Sequence, residues 1–185
     1  MSPEIRLVAF ETPIGCCGFA HIDQVLQRFR VGYESTDACW DSFEAGTKII
    51  SPDDWEARLA ERIVASLQPT VDAKAVRDNF LDVSIADENL TPFQKKVSDA
   101  CRRIEFGQTL SYGALAESVG HPGAARAVGS VMSRNRYPLI VPCHRVLGAG
   151  GLGGYTSPEG VGTKRQLLEI EGHKIKTREV TPSLF

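Results

Sequence analysis

The sequence has no long apolar run and no disulfide framework. None of its apolar stretches approaches the roughly 18 consecutive residues that a membrane-spanning helix needs. Glu4, Arg6 and Glu11 interrupt the beginning of the chain, where a signal peptide would require apolar residues. The five cysteines are odd in number, and the adjacent Cys16 and Cys17 cannot easily bridge each other. We therefore expect a protein that stays inside the cell and has no membrane partner.

The sequence also lacks the residue spacings of a metal site and of a nucleotide-phosphate site. Four potential metal ligands lack the paired spacing of a metal site and are predicted to be buried: Cys16, Cys17, His21 and Cys39. The glycine-rich segment 148–155 is followed by Gly162-Thr163-Lys164, which reverses the Lys-Ser/Thr order of a phosphate-binding P-loop. We predict that this segment is a pocket wall, with Tyr155 able to stack on a flat ligand.

The nearly balanced charge hides an asymmetry. The 185 residues hold 21 basic and 23 acidic side chains, a net charge of −2. Residues 1–88 contain 8 basic and 16 acidic side chains, whereas residues 89–185 contain 13 and 7. This indicates either a polyanionic partner for the C-terminal half or attraction between the two halves, and charge alone leaves both open.

Alternating apolar residues predict an N-terminal hairpin, with strands at 5–10 and 17–22 and a turn at 12–15. A helix that covers a small sheet is predicted to begin with Ser51 as N-cap and Pro52 in the first turn. Its apolar positions recur at helical spacing: Trp55, Leu59, Ile63 and Leu67.

The pattern weakens over residues 69–89. Apolar residues there predict a short helix and a strand: Val76, Phe80, Leu81, Val83 and Ile85. It sharpens at Thr91-Pro92-Phe93-Gln94, a capping box with proline at the first helical position. We place a domain boundary here, between residues 1–89 and 90–173, with a tail at 174–185.

The C-terminal half predicts a helix after this capping box, with Cys101 on its apolar face and Gly107 at its end. Two shorter helices follow, one from Ser111 to Gly120 and one that begins around Pro122 or Gly123 and runs to about Arg134. Two helices joined by a glycine-containing turn form the helix-turn-helix pattern, which is typical of DNA-binding proteins.

The last of these helices has an unusual face. Ala127, Val128 and Val131 form its expected packing stripe. On the opposite side one large cation, Arg126, stands among small residues: Ala124, Ala125, Gly129 and Ser130. Such a face permits either close approach to DNA, with Arg126 entering the duplex, or tight helix packing with Arg126 in solvent, and composition leaves both open.

A candidate nucleophile follows a predicted buried strand or extended run at 139–141. The thiol of Cys143 is a strong nucleophile only as thiolate, which the neighbouring His144 and Arg145 would favour. Adjacent side chains generally point apart, so a bridging water is the simpler proton path from Cys143 to His144. A structural turn remains the alternative for this Cys-His pair.

The final helix supplies an acid for the same site. It is predicted to begin near Thr163, with Gln166 completing a capping box. Glu171 shares the helix face of the apolar residues and Glu169 does not, so Glu171 is the better candidate to orient His144.

Three motifs of the C-terminal half occur together: Pro142-Cys143-His144-Arg145-Val146, Gly153-Gly154-Tyr155 and Leu167-Leu168-Glu169-Ile170-Glu171-Gly172. In this combination the chain resembles the O6-alkylguanine-DNA alkyltransferases. The resemblance covers residues 90–172 and includes the motifs at 107–113 and 124–129. It is loose in the N-terminal half, mainly at 10–15.

The resemblance implies an α+β protein, in which a ribonuclease-H-like α/β domain precedes a winged-helix-like domain that binds the minor groove of double-stranded DNA. It also implies the reaction: O6-alkylguanine is flipped from the duplex, and Cys143 removes and keeps the alkyl group without a cofactor. The protein is consumed. Activity on O4-alkylthymine and cooperative binding of monomers on DNA stay open. The implied location is the cytoplasm of a prokaryote or the nucleus of a eukaryote.

The resemblance also implies individual roles. Cys143 would be the acceptor, His144 its water-mediated base, Glu171 the orienting acid and Asn135 a brace for the turn. Substrate contacts would come from Tyr112, Val146, Tyr155, Thr156 and Lys164. Arg126 would fill the gap left by the flipped base, and the duplex would contact Ala125, Arg126, Ala127 and Gly129.

One segment departs from the family. Residues 156–162 replace a shorter path that usually begins Ser-Gly-Gly, which leaves the contact of Thr156 with O6 open. Three other functions compete: a damage-binding module without chemistry, a cysteine hydrolase and a transcriptional regulator. The presence of Cys143 argues against the first, a hydrolase would have to turn over, and no separate cysteine-rich sensor domain supports the last.

Overall fold

Strands and helices are described over residues 4–44, 46–68, 79–148 and 150–175 of the computed structural model. In chain order they are β1 (Arg6–Phe10), β2 (Cys16–Ile22), β3 (Val25–Tyr33), α1 (Thr36–Asp41), β4 (Thr47–Lys48), α2 (Asp54–Ser66), α3 (Pro92–Arg102), β5 (Leu110–Ser111), α4 (Tyr112–Ser118), α5 (Ala125–Ser133), β6 (Val146–Leu147) and α6 (Val161–Ile170). The prediction of a protein that combines α and β structure is confirmed. No helix within these ranges is long and apolar enough to cross a membrane.

The N-terminal half is built on a four-stranded sheet in the order β3-β2-β1-β4. β1 and β2 pair antiparallel with Val8 opposite Phe19, which confirms the predicted hairpin. β3 is antiparallel to β2, and β4 is parallel to β1. Trp55 of α2 meets the Phe19 ring edge-on, with ring centres 5.9 Å apart. The helix therefore covers the sheet, as predicted, whereas β3, α1 and β4 are not among the predicted elements.

The start of α2 differs from the prediction. Its N-cap is Asp53, not Ser51. The Asp53 carboxylate accepts hydrogen bonds from the main-chain N–H groups of Trp55 and Glu56, and the Glu56 side chain accepts one from the Asp53 N–H. Three residues after Ser51 stands the shorter Asp54, so the reciprocal capping box closes from Asp53 instead.

The helix predicted to follow residue 90 begins as expected. Thr91 and Gln94 form the capping box of α3, with Pro92 at its first position. Cys101 is fully buried in the core, which confirms its predicted place. The helix ends at Arg102, and Gly107 lies in the following turn with a φ of 75°.

α4 and α5 form the predicted pair of short helices. Ser111 caps α4 by accepting a hydrogen bond from the Ala114 N–H. α5 begins at Ala125 rather than at Pro122 or Gly123, because Gly123 has a φ of 83°, outside the helical region.

The packing stripe of α5 is partly wrong. Val128 is buried and Val131 is half-buried, as expected, but Ala127 is exposed. Met132 takes the remaining buried position. The buried face of α5 therefore consists of Val128, Val131 and Met132, and Ala127 lies on the solvent-exposed face.

Two predicted elements are absent from the described residues. Residues 79–89 form turns, with one β-bridge between Leu26 and Ile85, so neither the helix nor the strand is found there. Val76 lies outside the described residues, as does the part of the tail at 176–185.

The segment before Cys143 is a buried turn and not a strand. The Val141 N–H donates to the Tyr137 carbonyl, and the Cys143 N–H donates to the Val141 carbonyl, each at 2.7 Å. Leu139 has a φ of 72°, which is incompatible with an extended run. Local hydrogen bonds replace the strand pairing that the apolar pattern suggested.

The final helix also begins differently from the prediction. α6 has Gly160 as N-cap, with a φ of 53°, and no side chain caps it. Thr163 is the third residue of the helix and is buried, and its Oγ1 lies 2.8 Å from Ser157 Oγ. This hydroxyl is thus engaged by the preceding loop, and the predicted capping box with Gln166 does not form.

Main-chain and side-chain hydrogen bonds join the two halves. The Phe29 N–H of β3 donates to the Arg136 carbonyl at 2.7 Å. Tyr137 Oη donates to the Ala86 carbonyl at 2.6 Å. These contacts hold the segment that precedes Cys143 against the N-terminal sheet.

Candidate active site

Cys143 opens a short 3-10 turn, Cys143–Arg145, directly before β6. Its side chain is 6% exposed. Asn135 Nδ2 donates to the Cys143 sulfur at 3.1 Å and to the Val141 carbonyl at 2.8 Å, while Asn135 Oδ1 accepts from the Tyr137 N–H at 3.0 Å. Asn135 thus ties the buried turn to the thiol that follows it.

The surroundings of Cys143 keep its thiol protonated at rest. Burial raises the pKa of Cys143, and the hydrogen bond from Asn135 and the charge of Lys164 offset this only in part. Arg145, predicted from its position to favour the thiolate, instead binds Glu171. A separate base is therefore needed at the moment of reaction.

His144 has the geometry of such a base. The ring is 1% exposed, and its Nε2 lies 2.9 Å from Glu171 Oε1. Burial lowers the pKa of His144, although the contact with Glu171 raises it in part, so the neutral ring is favoured. Since an ionised carboxylate can only accept, Nε2 carries the proton. Nδ1 has no hydrogen-bond partner among the described residues and is left as the acceptor.

Glu171, at the C-terminal end of α6, joins three parts of the chain. Its carboxylate accepts from His144, from Arg145 Nε at 2.9 and 3.1 Å, and from the Gly107 N–H at 3.1 Å. Burial raises the pKa of Glu171, but His144 and Arg145 outweigh it and hold the pKa at about 2. Glu169 is exposed. The carboxylate beside His144 is therefore that of Glu171.

Two residues of this network are missing from the predicted site. Arg145 is buried and also donates to the Ile104 carbonyl at 2.6 Å and to Asn79 Oδ1 at 3.2 Å. A buried arginine needs a carboxylate partner, but the burial of Arg145 is visible only in the structure, so this rule could not be applied to the sequence. No sequence signal points to Asn79.

Lys164 is fully buried on α6. Its Nζ donates to the Val146 carbonyl at 2.7 Å. Burial lowers the pKa of Lys164, while the nearby Cys143 raises it. This lysine therefore supports β6, the strand after Cys143, and its positive charge lowers the pKa of the Cys143 thiol.

The two tyrosines predicted to contact substrate lie beside Gly153 and beside His144. A Cβ at Gly153, where φ is 71°, would stand 3.1 Å from Tyr112 Oη, so this close approach requires glycine. The Tyr155 ring is perpendicular to that of His144, with ring centres 6.5 Å apart. Burial raises the pKa of both Tyr112 and Tyr155.

Thr156 stands at the rim of this region. Its Oγ1 donates to the Ser133 carbonyl at the end of α5, at 3.2 Å. The hydroxyl expected to contact O6 therefore already has a protein partner.

The small-residue face of α5 is open. Arg126 and Ala127 are exposed, and Ala125 and Gly129 are half-buried. A Cβ placed on Gly129 would meet nothing within 4 Å. Among the residues that the structure describes, none packs against Gly129 on this face, so the alternative of tight helix packing is not found there, although Arg126 is in solvent.

The remaining cysteines are buried free thiols: Cys16, Cys17, Cys39 and Cys101. Burial raises the pKa of Cys17 and of Cys39 to about 12. Within the described ranges no three His, Cys, Asp or Glu side chains are grouped as metal ligands. The prediction of small buried thiols is confirmed.

Several known proteins have sequences similar to that of this chain. A family model described as the 6-O-methylguanine DNA methyltransferase, DNA binding domain, matches residues 92–173. A methylated-DNA--protein-cysteine methyltransferase of Methanosarcina acetivorans is 38% identical over 165 residues, or 88% of this chain and 96% of that relative. The protein of the same name from Mycobacterium leprae is 53% identical over 88 residues, which cover 47% of this chain and 52% of its own length.

Solved structures agree with the sequence comparisons. The Mycobacterium tuberculosis O6-methylguanine methyltransferase superposes with a TM-score of 0.70 at 30% identity, covering 94% of this chain and 96% of that one. A structure of Mycobacterium tuberculosis OGT in complex with DNA gives 0.68 at 32% identity, covering 90% and 93%. The chain therefore belongs to the family of methylated-DNA--protein-cysteine methyltransferases.

Proposed function

We propose that this chain repairs DNA by direct reversal, moving the alkyl group of O6-alkylguanine in duplex DNA onto Cys143 in one irreversible turnover. The observation that carries the proposal is the enclosed Cys143 thiol, bonded by Asn135 and adjacent in the chain to the His144–Glu171 pair. The names of the relatives state both a methylated DNA substrate and a protein cysteine.

The chemistry follows from the protonation states. His144 Nδ1 takes the thiol proton of Cys143 through a bridging water, and Glu171 stabilises the imidazolium that forms. The thiolate attacks the alkyl carbon, a C–S bond forms, and the C–O6 bond breaks with its electron pair left on the guanine. Tyr112 Oη donates a proton to N3 of the leaving guanine, and the proton taken up by His144 returns through water to the tyrosinate, so the net change moves the thiol proton to the base. The thioether has no route back, so each protein molecule acts once.

Five other residues would hold the flipped base. Tyr112 would bond N3, and Tyr155 and Lys164 would help the base to leave. The Val146 carbonyl already accepts from Lys164 but has a second lone pair for the exocyclic amine. Thr156 would lie beside O6, and its hydroxyl could contact O6 only after leaving the Ser133 carbonyl.

We place the duplex against α5. Its open face lets a DNA backbone approach, and Arg126 is exposed where it can enter the stack in place of the flipped base. Ala125, Ala127 and Gly129 are the small residues that permit this approach. The relative solved in complex with DNA supports the same partner.

The finer fold assignments are part of the proposal. Residues 1–89 would form a ribonuclease-H-like domain, supported by the mixed sheet covered by α2. Residues 90–173 would form a winged-helix-like domain, supported by the α4–α5 pair and the parallel strands β5 and β6. The protein would act as a monomer where chromosomal DNA lies, in a prokaryotic cytoplasm or a eukaryotic nucleus.

Intact-mass measurement tests the function directly. One equivalent of duplex containing O6-methylguanine should add one methyl group per protein, mapped to the peptide of Cys143. Cys143→Ser should abolish transfer and keep duplex binding, while Cys101→Ala, the matched control, should transfer normally. Repaired DNA with unmodified protein would show a turnover enzyme instead, and bound but unrepaired DNA would show a recognition module.

A further inference from the structure

The Arg145 guanidinium donates from all three of its nitrogens. Nε donates to both oxygens of Glu171, and Nη2 lies 2.9 Å from Glu171 Oε1. Nη1 donates to the Ile104 carbonyl and to Asn79 Oδ1. Because a guanidinium group is rigid and planar, these contacts together fix its position and orientation relative to the Glu171 carboxylate.

Asn79 brings the N-terminal half into this network. It lies 66 positions before Arg145 in the chain. The next contacts of the same segment are also with the C-terminal half, because Arg102 Nη2 donates to the carbonyls of Phe80 and Val83. Residues 79–83 therefore contact the C-terminal half at two places. One of these contacts is with Arg145, which binds Glu171.

Arg145 and Glu171 act on His144 in opposite directions. Burial lowers the pKa of His144, the contact with Glu171 raises it, and the charge of Arg145 lowers it again. The paired guanidinium thus lets Glu171 fix the tautomer of the ring without drawing it into the charged form. A neutral ring with a free Nδ1 is what a base for Cys143 requires.

We propose that Arg145 and Asn79 are positioning residues, which hold Glu171 and through it His144, so that the N-terminal half helps to set the base used in alkyl transfer. This inference rests on the proposed function.

The first test compares single-turnover rates on duplex containing O6-methylguanine. Asn79→Ala should slow transfer about 3-fold, the usual effect of one lost hydrogen bond, and Arg145→Lys about 10-fold because lysine lacks the planar guanidinium group. Matched controls at exposed positions, Asn89→Ala and Arg103→Lys, should keep the normal rate. In the Arg145→Lys background, Asn79→Ala should add little, because both changes affect one network.

The second test separates positioning from simple support of the fold. Transfer needs neutral His144, so its rate falls as pH drops through the pKa of His144. Without the Arg145 guanidinium that pKa rises, and the fall in Arg145→Gln should begin at a higher pH. Arg145→Lys should restore part of the shift. A purely structural role would lower the rate at every pH and leave the position of the fall unchanged.

Nitrogen NMR of the His144 ring gives a readout that needs no DNA. It should show Nε2 protonated in the starting protein and a higher pKa in Arg145→Gln. If Arg145→Gln does not fold, Arg145→Lys and Asn79→Ala decide the matter. Failure of the starting protein to accept a methyl group would refute the proposed function and leave the NMR result standing. Rates, pH profiles and ring signals equal to those of the controls would overturn the positioning role.

Discussion

At the scale of single residues, Glu56 repeats in the N-terminal half what Glu171 does beside the acceptor. Glu56 is fully buried, and its carboxylate accepts from Arg6 Nε and from His21 Nε2, each at 2.7 Å. Burial raises the pKa of Glu56, but the hydrogen bonds from Arg6 and His21 outweigh this and bring it to about 2. The ion pair therefore ties β1 and β2 to α2.

This pairing predicts a pH-dependent stability. The folded pKa lies below the ordinary value of 4.5, so the stabilisation is complete above that pH and is lost as pH falls towards 2. At pH 7, Glu56→Gln should lower the free energy of unfolding by about 3 kcal/mol, because it leaves Arg6 and His21 without their charged partner. Near pH 2 the difference should shrink.

Urea unfolding at both pH values measures this difference. Glu61→Gln, at an exposed position of the same helix, is the control and should show little change at either pH. A loss in Glu56→Gln that is equally large at the two pH values would show that charge pairing is not its origin.

At the scale of elements, α5 connects the proposed DNA surface to the acceptor. The helix ends at Ser133, whose carbonyl holds Thr156, and the chain then reaches Asn135, which donates to the Cys143 sulfur. Because the contacts with the site are made at Ser133 and Asn135, a substitution elsewhere on the open face of α5 can separate an effect on DNA binding from an effect on the chemistry.

Gly129→Leu makes that separation. The new side chain meets open space, and leucine favours a helix over glycine by about 1 kcal/mol, so stability should be kept or rise. Duplex affinity should fall at least 10-fold, because the side chain would hold the DNA away from α5. Anisotropy binding, thermal unfolding and reaction with the free modified base measure the three effects. Gly129→Ala should lose far less affinity, and unchanged binding by Gly129→Leu would place the DNA elsewhere.

At the scale of the whole molecule, charge is divided between the halves. The C-terminal residues 89–185 have a basic excess and residues 1–88 an acidic one. If the basic half contacts phosphates, duplex affinity should fall as the salt concentration rises. A plot of the logarithm of the binding constant against the logarithm of the salt concentration should then have a slope of roughly −0.9 for each phosphate contacted. Arg126→Gln removes a cation that we assign to the base stack and not to a phosphate, so it should lower duplex affinity but change that slope little, whereas Arg58→Gln on the N-terminal helix α2 should change neither. A flat salt profile would contradict the assignment.

Much of the local structure follows from neighbouring residues. The hairpin, the capping box at Thr91 and the buried face with Cys101 depend on contacts a few positions apart, and all three are confirmed. The predicted N-cap lies two residues from the observed one in α2 and three residues from it in α6, because several residues near a helix end can cap it and tertiary contacts choose among them. Thr163 shows this clearly, since Ser157 engages its hydroxyl.

Residue types and helical phase are enough to predict the reactive groups and to place Glu171 rather than Glu169 on the core face. The folded chain adds that Arg145 binds Glu171 instead of supporting the thiolate, that Asn135 reaches the sulfur, and that Asn79 joins the network. These contacts join positions that are far apart in the chain. Periodicity and capping report the nearest neighbours along the chain, whereas the pKa of a buried group is set by charges and hydrogen bonds that folding brings together from distant positions.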